Sequence, residues 1–83
     1  MNGRQRKTLE AVFARPTRIV AWKDIESLLV ACGYRVIEGD GSRVRFVKNG
    51  VVATFHRPHP EKDAKKYQVE DARQYLEKIG VKP

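Results

Sequence analysis

The sequence predicts an α+β fold in the order helix, helix, strand, strand, strand, helix. Three antiparallel strands carry the helices on one face. Three observations predict it. Apolar residues recur at helical spacing in three segments: Leu9, Val12 and Phe13; Ile25, Leu28, Leu29 and Cys32; Val69, Ala72, Leu76 and Ile79. Asn49-Gly50 stands between two alternating segments, the strongest short-range hairpin signal. A third extended segment, Tyr34 to Glu38, precedes them and is followed by the turn residues Gly39-Asp40-Gly41.

Each element has local reasons. Residues about 4–14 form the first helix, and Pro16 stops it. Ile19 and Val20 make a short extended link. The second helix covers about 22–32. Asp24 and Glu26 lie in its first turn, where the helix dipole favours them, and Gly33 supplies the stop. Trp22 packs under its apolar stripe. Residues His56 to about Lys66 form a charged loop containing Pro58 and Pro60. The last helix runs over about 67–79 and ends at Gly80.

The hairpin turn sets a register. With a two-residue loop, Lys48 opposes Val51, Phe46 opposes Ala53 and Val44 opposes Phe55. Val44, Phe46, Ala53 and Phe55 then share one apolar face. Arg45 opposes Thr54 and Arg43 opposes His56, on the other face. That second face is left to solvent, as is common for an antiparallel sheet. Opposed side chains have Cβ atoms about 4.5–5.5 Å apart. Arg43 and His56 are therefore placed to act on one phosphate.

Length and charge bound the function. A single domain is expected over residues 1–83, with residues 1–20 as a helical extension and 22–81 as the core. A chain this short buries only about 60% of its unfolded surface. Any site is shallow. The net charge is +7, and it is uneven: +5 over residues 1–23, −3 over 24–40, +5 over 41–66 and 0 over 67–83. Two basic segments around an acidic one favour a nucleic-acid or acidic protein partner.

Cys32 is the only cysteine and lies among Leu28, Leu29 and Val30, so it reads as a core residue in a reducing cytoplasm. No apolar run approaches roughly 18 residues, and no membrane partner is expected. His56 and His59 lack the cysteine or carboxylate companions of a metal site. No Gly-rich phosphate loop or nucleophile motif is present, so neither a metal nor a small-molecule cofactor is expected. His59 is held between two prolines, and Lys62, Lys65 and Lys66 follow it. That loop reads either as a phosphate grip or as a surface loop.

Gly41-Ser42, Phe46, Pro58-His59-Pro60, Lys62 and the Val69-to-Gly80 helix, in that order and spacing, resemble the HicA family of mRNA interferase toxins. The resemblance covers roughly residues 22–81. It implies a fold like that of double-stranded-RNA-binding domains, cleavage of mRNA as an endoribonuclease, and neutralisation by a HicB-type antitoxin. It also implies a catalytic histidine directly after Gly-Ser, where this chain has Arg43. A guanidinium stays protonated and cannot serve as the base. The expectation is that His56 supplies the imidazole from the neighbouring strand, with Arg43 and His59 as the other catalytic candidates. Arg43, Arg45, Thr54, Arg57, Lys62, Lys65 and Lys66 are the expected RNA contacts. The alternatives are an RNA-binding module without catalysis and a winged-helix DNA-binding regulator. Asp24 and Glu26 weaken the last, because a recognition helix needs basic residues on its exposed side.

Overall fold

A computed structural model describes residues 1–83. The elements are α1 (Gly3–Phe13), α2 (Trp22–Ala31), β1 (Arg35–Glu38), β2 (Arg43–Lys48), β3 (Val51–His56) and α3 (Lys66–Lys78). The fold class and element order are those the sequence predicts. The sheet is antiparallel, in the order β1-β2-β3.

The hairpin register is also as expected. Arg43 pairs with His56, Val44 with Phe55, Arg45 with Thr54 and Phe46 with Ala53. Asn49 and Gly50 have φ of 49° and 81°, the left-handed pair that a type I′ turn requires. Val44, Phe46, Ala53 and Phe55 are buried under the helices, whereas Arg43, Arg45, Thr54 and His56 are exposed. The helical layer supplies Leu9, Val12, Ile25, Leu28, Leu29, Val69, Ala72 and Leu76 to the same core.

Aromatic rings join the two layers edge to face. Phe55 lies 5.1 Å from Trp22, 5.9 Å from Phe46 and 5.8 Å from Tyr75, centroid to centroid. Such pairs add about 0.5–1.5 kcal/mol each beyond area burial. Tyr34, just before β1, reaches across to donate to the Tyr75 carbonyl at 2.8 Å.

Polar side chains tie off the helix ends. Asn2 caps α1 reciprocally with Gln5: Asn2 Oδ1 accepts from the Gln5 amide at 2.8 Å, and Gln5 Oε1 accepts from the Asn2 amide at 2.9 Å. At the other end of α1, Arg73 reaches over from α3. The residue is only 6% exposed, and its guanidinium donates to the carbonyls of Val12 at 2.9 Å and Ala14 at 3.3 Å. These are C-terminal carbonyls that lack a partner within the helix. Lys48 does the same for α2, donating to the Cys32 carbonyl at 2.7 Å.

Arg73 thus fastens the C-terminal end of α1 to α3, while Arg4–Asp24 and Gln5–Ser27 tie α1 to α2. Replacing it in Arg73→Met strands two acceptors under the core edge. The expected loss is roughly 1–3 kcal/mol, the cost of unsatisfied buried polar groups. Urea unfolding measures it. Amide exchange should accelerate first in α1; unchanged protection there would show that α1 is held by packing and its ties to α2.

Candidate nucleic-acid interface

Every second residue of each strand faces away from the helices. The open face therefore carries Arg35 and Ile37 from β1, Arg43, Arg45 and Val47 from β2, and Val52, Thr54 and His56 from β3. Two rows are complete: Arg35–Val47–Val52 and Ile37–Arg45–Thr54. The third row is Arg43–His56, and its β1 end is Gly39, whose amide donates to the Arg43 carbonyl at 3.0 Å. Arg35 and Ile37 join the face only through the β1 register. The bend at Gly39–Ser42, unlike Asn49-Gly50, does not announce that register in the sequence.

The Arg43–His56 pair is a close one. The Arg57 amide donates to the Ser42 carbonyl at 2.8 Å, which makes Ser42 and Arg57 a hydrogen-bonded pair. Arg43 and His56, one step along, are then a non-hydrogen-bonded pair. In such pairs the Cα atoms lie about 4.5 Å apart and the side chains approach more closely. Both side chains are exposed.

Beside this pair the sheet is notched. Gly39 has no side chain, and a Cβ there would sit 3.1 Å from the Arg43 Cβ and 3.2 Å from its carbonyl oxygen. The notch opens into a shallow concavity of about 500 Å³ lined by Glu38, Gly39, Asp40, Arg43, Val44, Arg45 and Thr54. Arg43, Arg45 and Thr54 are therefore brought together in one place, with His56 paired to Arg43 in the sheet. His59 is not brought into the concavity. It is exposed in the loop after β3.

Arg57, one of the expected RNA contacts, is engaged by two carboxylates of the protein itself. It follows Phe55 by two residues and so turns toward the helices. Its Nε donates to Glu26 of α2 at 2.6 Å, and its two terminal nitrogens donate to the Glu38 carboxylate at 2.6 and 2.9 Å. Glu26 also accepts from the Trp22 indole N–H. Arg57 is a clamp that joins α2 to the end of β1 beneath the Arg43–His56 row. The bonds to Glu38 and Glu26 raise the guanidinium pKa further. The hydrogen bond from Arg57 holds the Glu38 carboxyl below its ordinary range.

The loop after β3 is pinned rather than free. The Trp22 amide donates to the Lys62 carbonyl and the Ala64 amide to the Val20 carbonyl, each at 2.9 Å. Lys62, Lys65 and Lys66 remain exposed, with Lys65 and Lys66 at the start of α3 in the helical layer. Gln68 secures that junction. It is 1% exposed; its Nε2 donates to the His56 carbonyl at 2.7 Å, and its Oε1 accepts from the Lys65 amide at 2.9 Å. No sequence motif flags this residue, because a glutamine in an amphipathic helix reads as surface.

Cys32 is half-buried, and burial pushes its thiol pKa up, with the Lys48 charge opposing in part. It is a poor nucleophile where it stands. No helix is long and apolar enough to cross a membrane.

Set against known families, residues 22–81 match the model described as the HicA toxin of bacterial toxin-antitoxin. The match runs from the first residue of α2 past the end of α3 and leaves α1 outside it. No curated protein matches the chain, and no solved structure does.

The Arg57–Glu38 pair gives a pH signature. A carboxyl whose folded pKa is depressed adds stability above its unfolded value, near 4.3 for glutamate. That stability is lost as pH falls through the folded value. Wild type should melt above Glu38→Gln at neutral pH, and the gap should begin to close near the unfolded value of about 4.3 and vanish once the pH is below the folded value. Thermal melts across that range measure it; a constant gap down to acid would contradict the pairing.

Proposed function

The chain belongs to the HicA toxin family of bacterial toxin–antitoxin systems, and we propose from that premise that it is an endoribonuclease that cuts mRNA on its open sheet face. As a toxin of such a pair it has a cognate antitoxin in general. The observation that carries the nuclease reading is the Arg43–His56 pair, exposed and in direct register.

The step runs on this chain's own side chains. An imidazole nitrogen of His56 takes the proton of a ribose 2′-hydroxyl. The 2′-oxygen bonds to the adjacent phosphorus, and the bond to the 5′-oxygen breaks, leaving a 2′,3′-cyclic phosphate. The departing 5′-oxygen takes a proton from solvent or from a lysine of the neighbouring loop, because His59, the other expected donor, lies outside the concavity. Arg43 and Arg45 neutralise the charge that grows on the phosphate oxygens. Thr54 sits opposite Arg45 and offers a hydroxyl to the same strand. Lys62, Lys65 and Lys66 add backbone contacts further along the RNA. Arg57 acts only through the clamp that holds this end of the sheet.

The antitoxin on this reading is of the HicB type, with an acidic surface that covers the open face. Arg45 stands at the centre of that face, with Arg35 and Arg43 exposed near it and Ile37, Val47 and Val52 between, a mixed charged and apolar patch. Such a patch gives both affinity and steering for an acidic partner.

A second reading has one specific support. Arg43 occupies the place after Gly41-Ser42 where a catalytic histidine is expected. A chain that binds RNA without cutting it fits that substitution.

One set of variants separates the two. His56→Ala should lower cleavage of purified RNA about 10²–10⁴-fold, the usual contribution of a positioned base. Growth arrest on induction should be relieved in parallel. Arg43→Ala should weaken both binding and cleavage. If His56→Ala cuts as wild type does, His56 is not the base. If wild type binds RNA and never cuts it, the second reading stands. On the partner side, Arg45→Glu should weaken antitoxin binding at low salt, measured by titration calorimetry; unchanged affinity would place the antitoxin elsewhere.

A further inference from the structure

The helical layer carries a second surface that the open face does not explain. The segment between α1 and α2 lies along α3. Arg73 donates to the Ala14 carbonyl at 3.3 Å, Thr17 Oγ1 donates to Glu70 at 2.9 Å, and Val20 accepts from the Ala64 amide at 2.9 Å. These three ties bracket Ile19 and set it beside the start of α3. Val20 and Ala64 both turn inward, so Ile19 turns out, and it is 83% exposed. It is the most exposed large apolar side chain of the protein. Tyr67, in the first turn of α3, is 55% exposed. Around these two stand Arg15, Arg18, Lys65 and Lys66, all exposed. The ion pairs of the chain engage Arg4 and Arg57, so none of these four cations is in an ion pair, and the one carboxylate tied to the segment, Glu70, is bonded to Thr17.

An exposed ring, an exposed aliphatic chain and four unpaired cations describe a recognisable chemistry. Single-stranded nucleic acid is held by bases stacked on aromatic rings and phosphates drawn to cations. We infer that residues 15–19 and the first turn of α3 form a second contact surface for a single strand of RNA, separate from the open sheet face. Tyr67 stacks a base, Ile19 covers the edge of that stack, and Arg15 and Arg18 with Lys65 and Lys66 hold the flanking phosphates. Residues 15–19 lie outside the family match of residues 22–81, so this surface is partly built by the extension itself. The inference rests on RNA being the substrate. A strand that engages both surfaces must be longer than the few nucleotides the concavity holds.

The test is binding of a 2′-O-methyl RNA, which cannot be cut, with a length of about 20 nucleotides, beyond the ~4–16 that one single-strand-binding domain covers. Fluorescence anisotropy at several salt concentrations reads affinity and its salt slope. Tyr67→Ala should weaken binding about five- to hundredfold, and Tyr67→Phe, which keeps the ring, should restore it. Arg15→Ala with Arg18→Ala should flatten the log–log salt slope by about 1.4, two phosphate contacts at ~0.7 each. If Tyr67→Ala and the double arginine variant both bind as wild type, the second surface does not exist. If in that case Arg43→Ala still abolishes cleavage, the nuclease reading survives. If the variants lose affinity while wild type never cuts natural RNA, the surface stands and the nuclease reading falls. A wild type that does not bind this RNA at all overturns the surface outright.

Discussion

Asn49 and Gly50 hold two consecutive left-handed residues, and every contact between sheet and helices presupposes the register they impose. Strand side chains alternate between faces. A slip of one residue would turn one strand over, sending either Phe46 out and Arg43 in or Phe55 out and His56 in. The aromatic cluster of Trp22, Phe46, Phe55 and Tyr75 penalises that slip, so the turn and the core enforce the same pairing. This agreement between turn chemistry and burial gives a small domain one arrangement rather than several.

The same register divides labour between faces. The inner face is closed by packing and by long-range polar ties: Arg73 on α1, Lys48 on α2, Gln68 on the His56 carbonyl and Arg57 between Glu26 and Glu38. Each spans two elements and satisfies groups that a helix or strand end leaves open. Two of them converge on the end of the sheet that carries Arg43 and His56, where Gly39 adds a third support. Gln68 fixes the backbone of His56, Arg57 braces the strand end beside Arg43, and Gly39 leaves room for the Arg43 side chain. A group that must meet a phosphate is better held by such supports than by its own flexible stem.

The hairpin and the three helices were legible in the sequence because their signals are local. Apolar spacing marks a helix face within a few turns, and Asn-Gly marks a turn in two residues. The division of hairpin residues between core and open face followed from that turn alone. What escaped was non-local. Arg57 sits in a basic loop and reads as a phosphate contact, because nothing nearby in the chain reveals Glu26 and Glu38 waiting on other elements. Arg73 and Gln68 sit on a helix whose polar residues look solvated, although both turn inward to backbone carbonyls far along the chain. The β1 register was hidden because the connection from Glu38 to Arg43 has no turn signal as specific as Asn49-Gly50. With it were hidden Arg35, Ile37 and the notch at Gly39. Position in the open row says where Arg43 and His56 stand. The catalytic role proposed for them is a matter of chemistry that no periodicity encodes.

The open face has one more consequence. Its side chains pack against nothing beneath them, so their identity is nearly decoupled from folding. A histidine and an arginine can trade places across the hairpin, from residue 43 to residue 56 or back, while the core, the turn and the helix ties stay as they are. Such a scaffold tolerates exchange of exposed side chains between strands without loss of the fold. Related chains built on it are expected to differ most in the residues that matter most to their substrates.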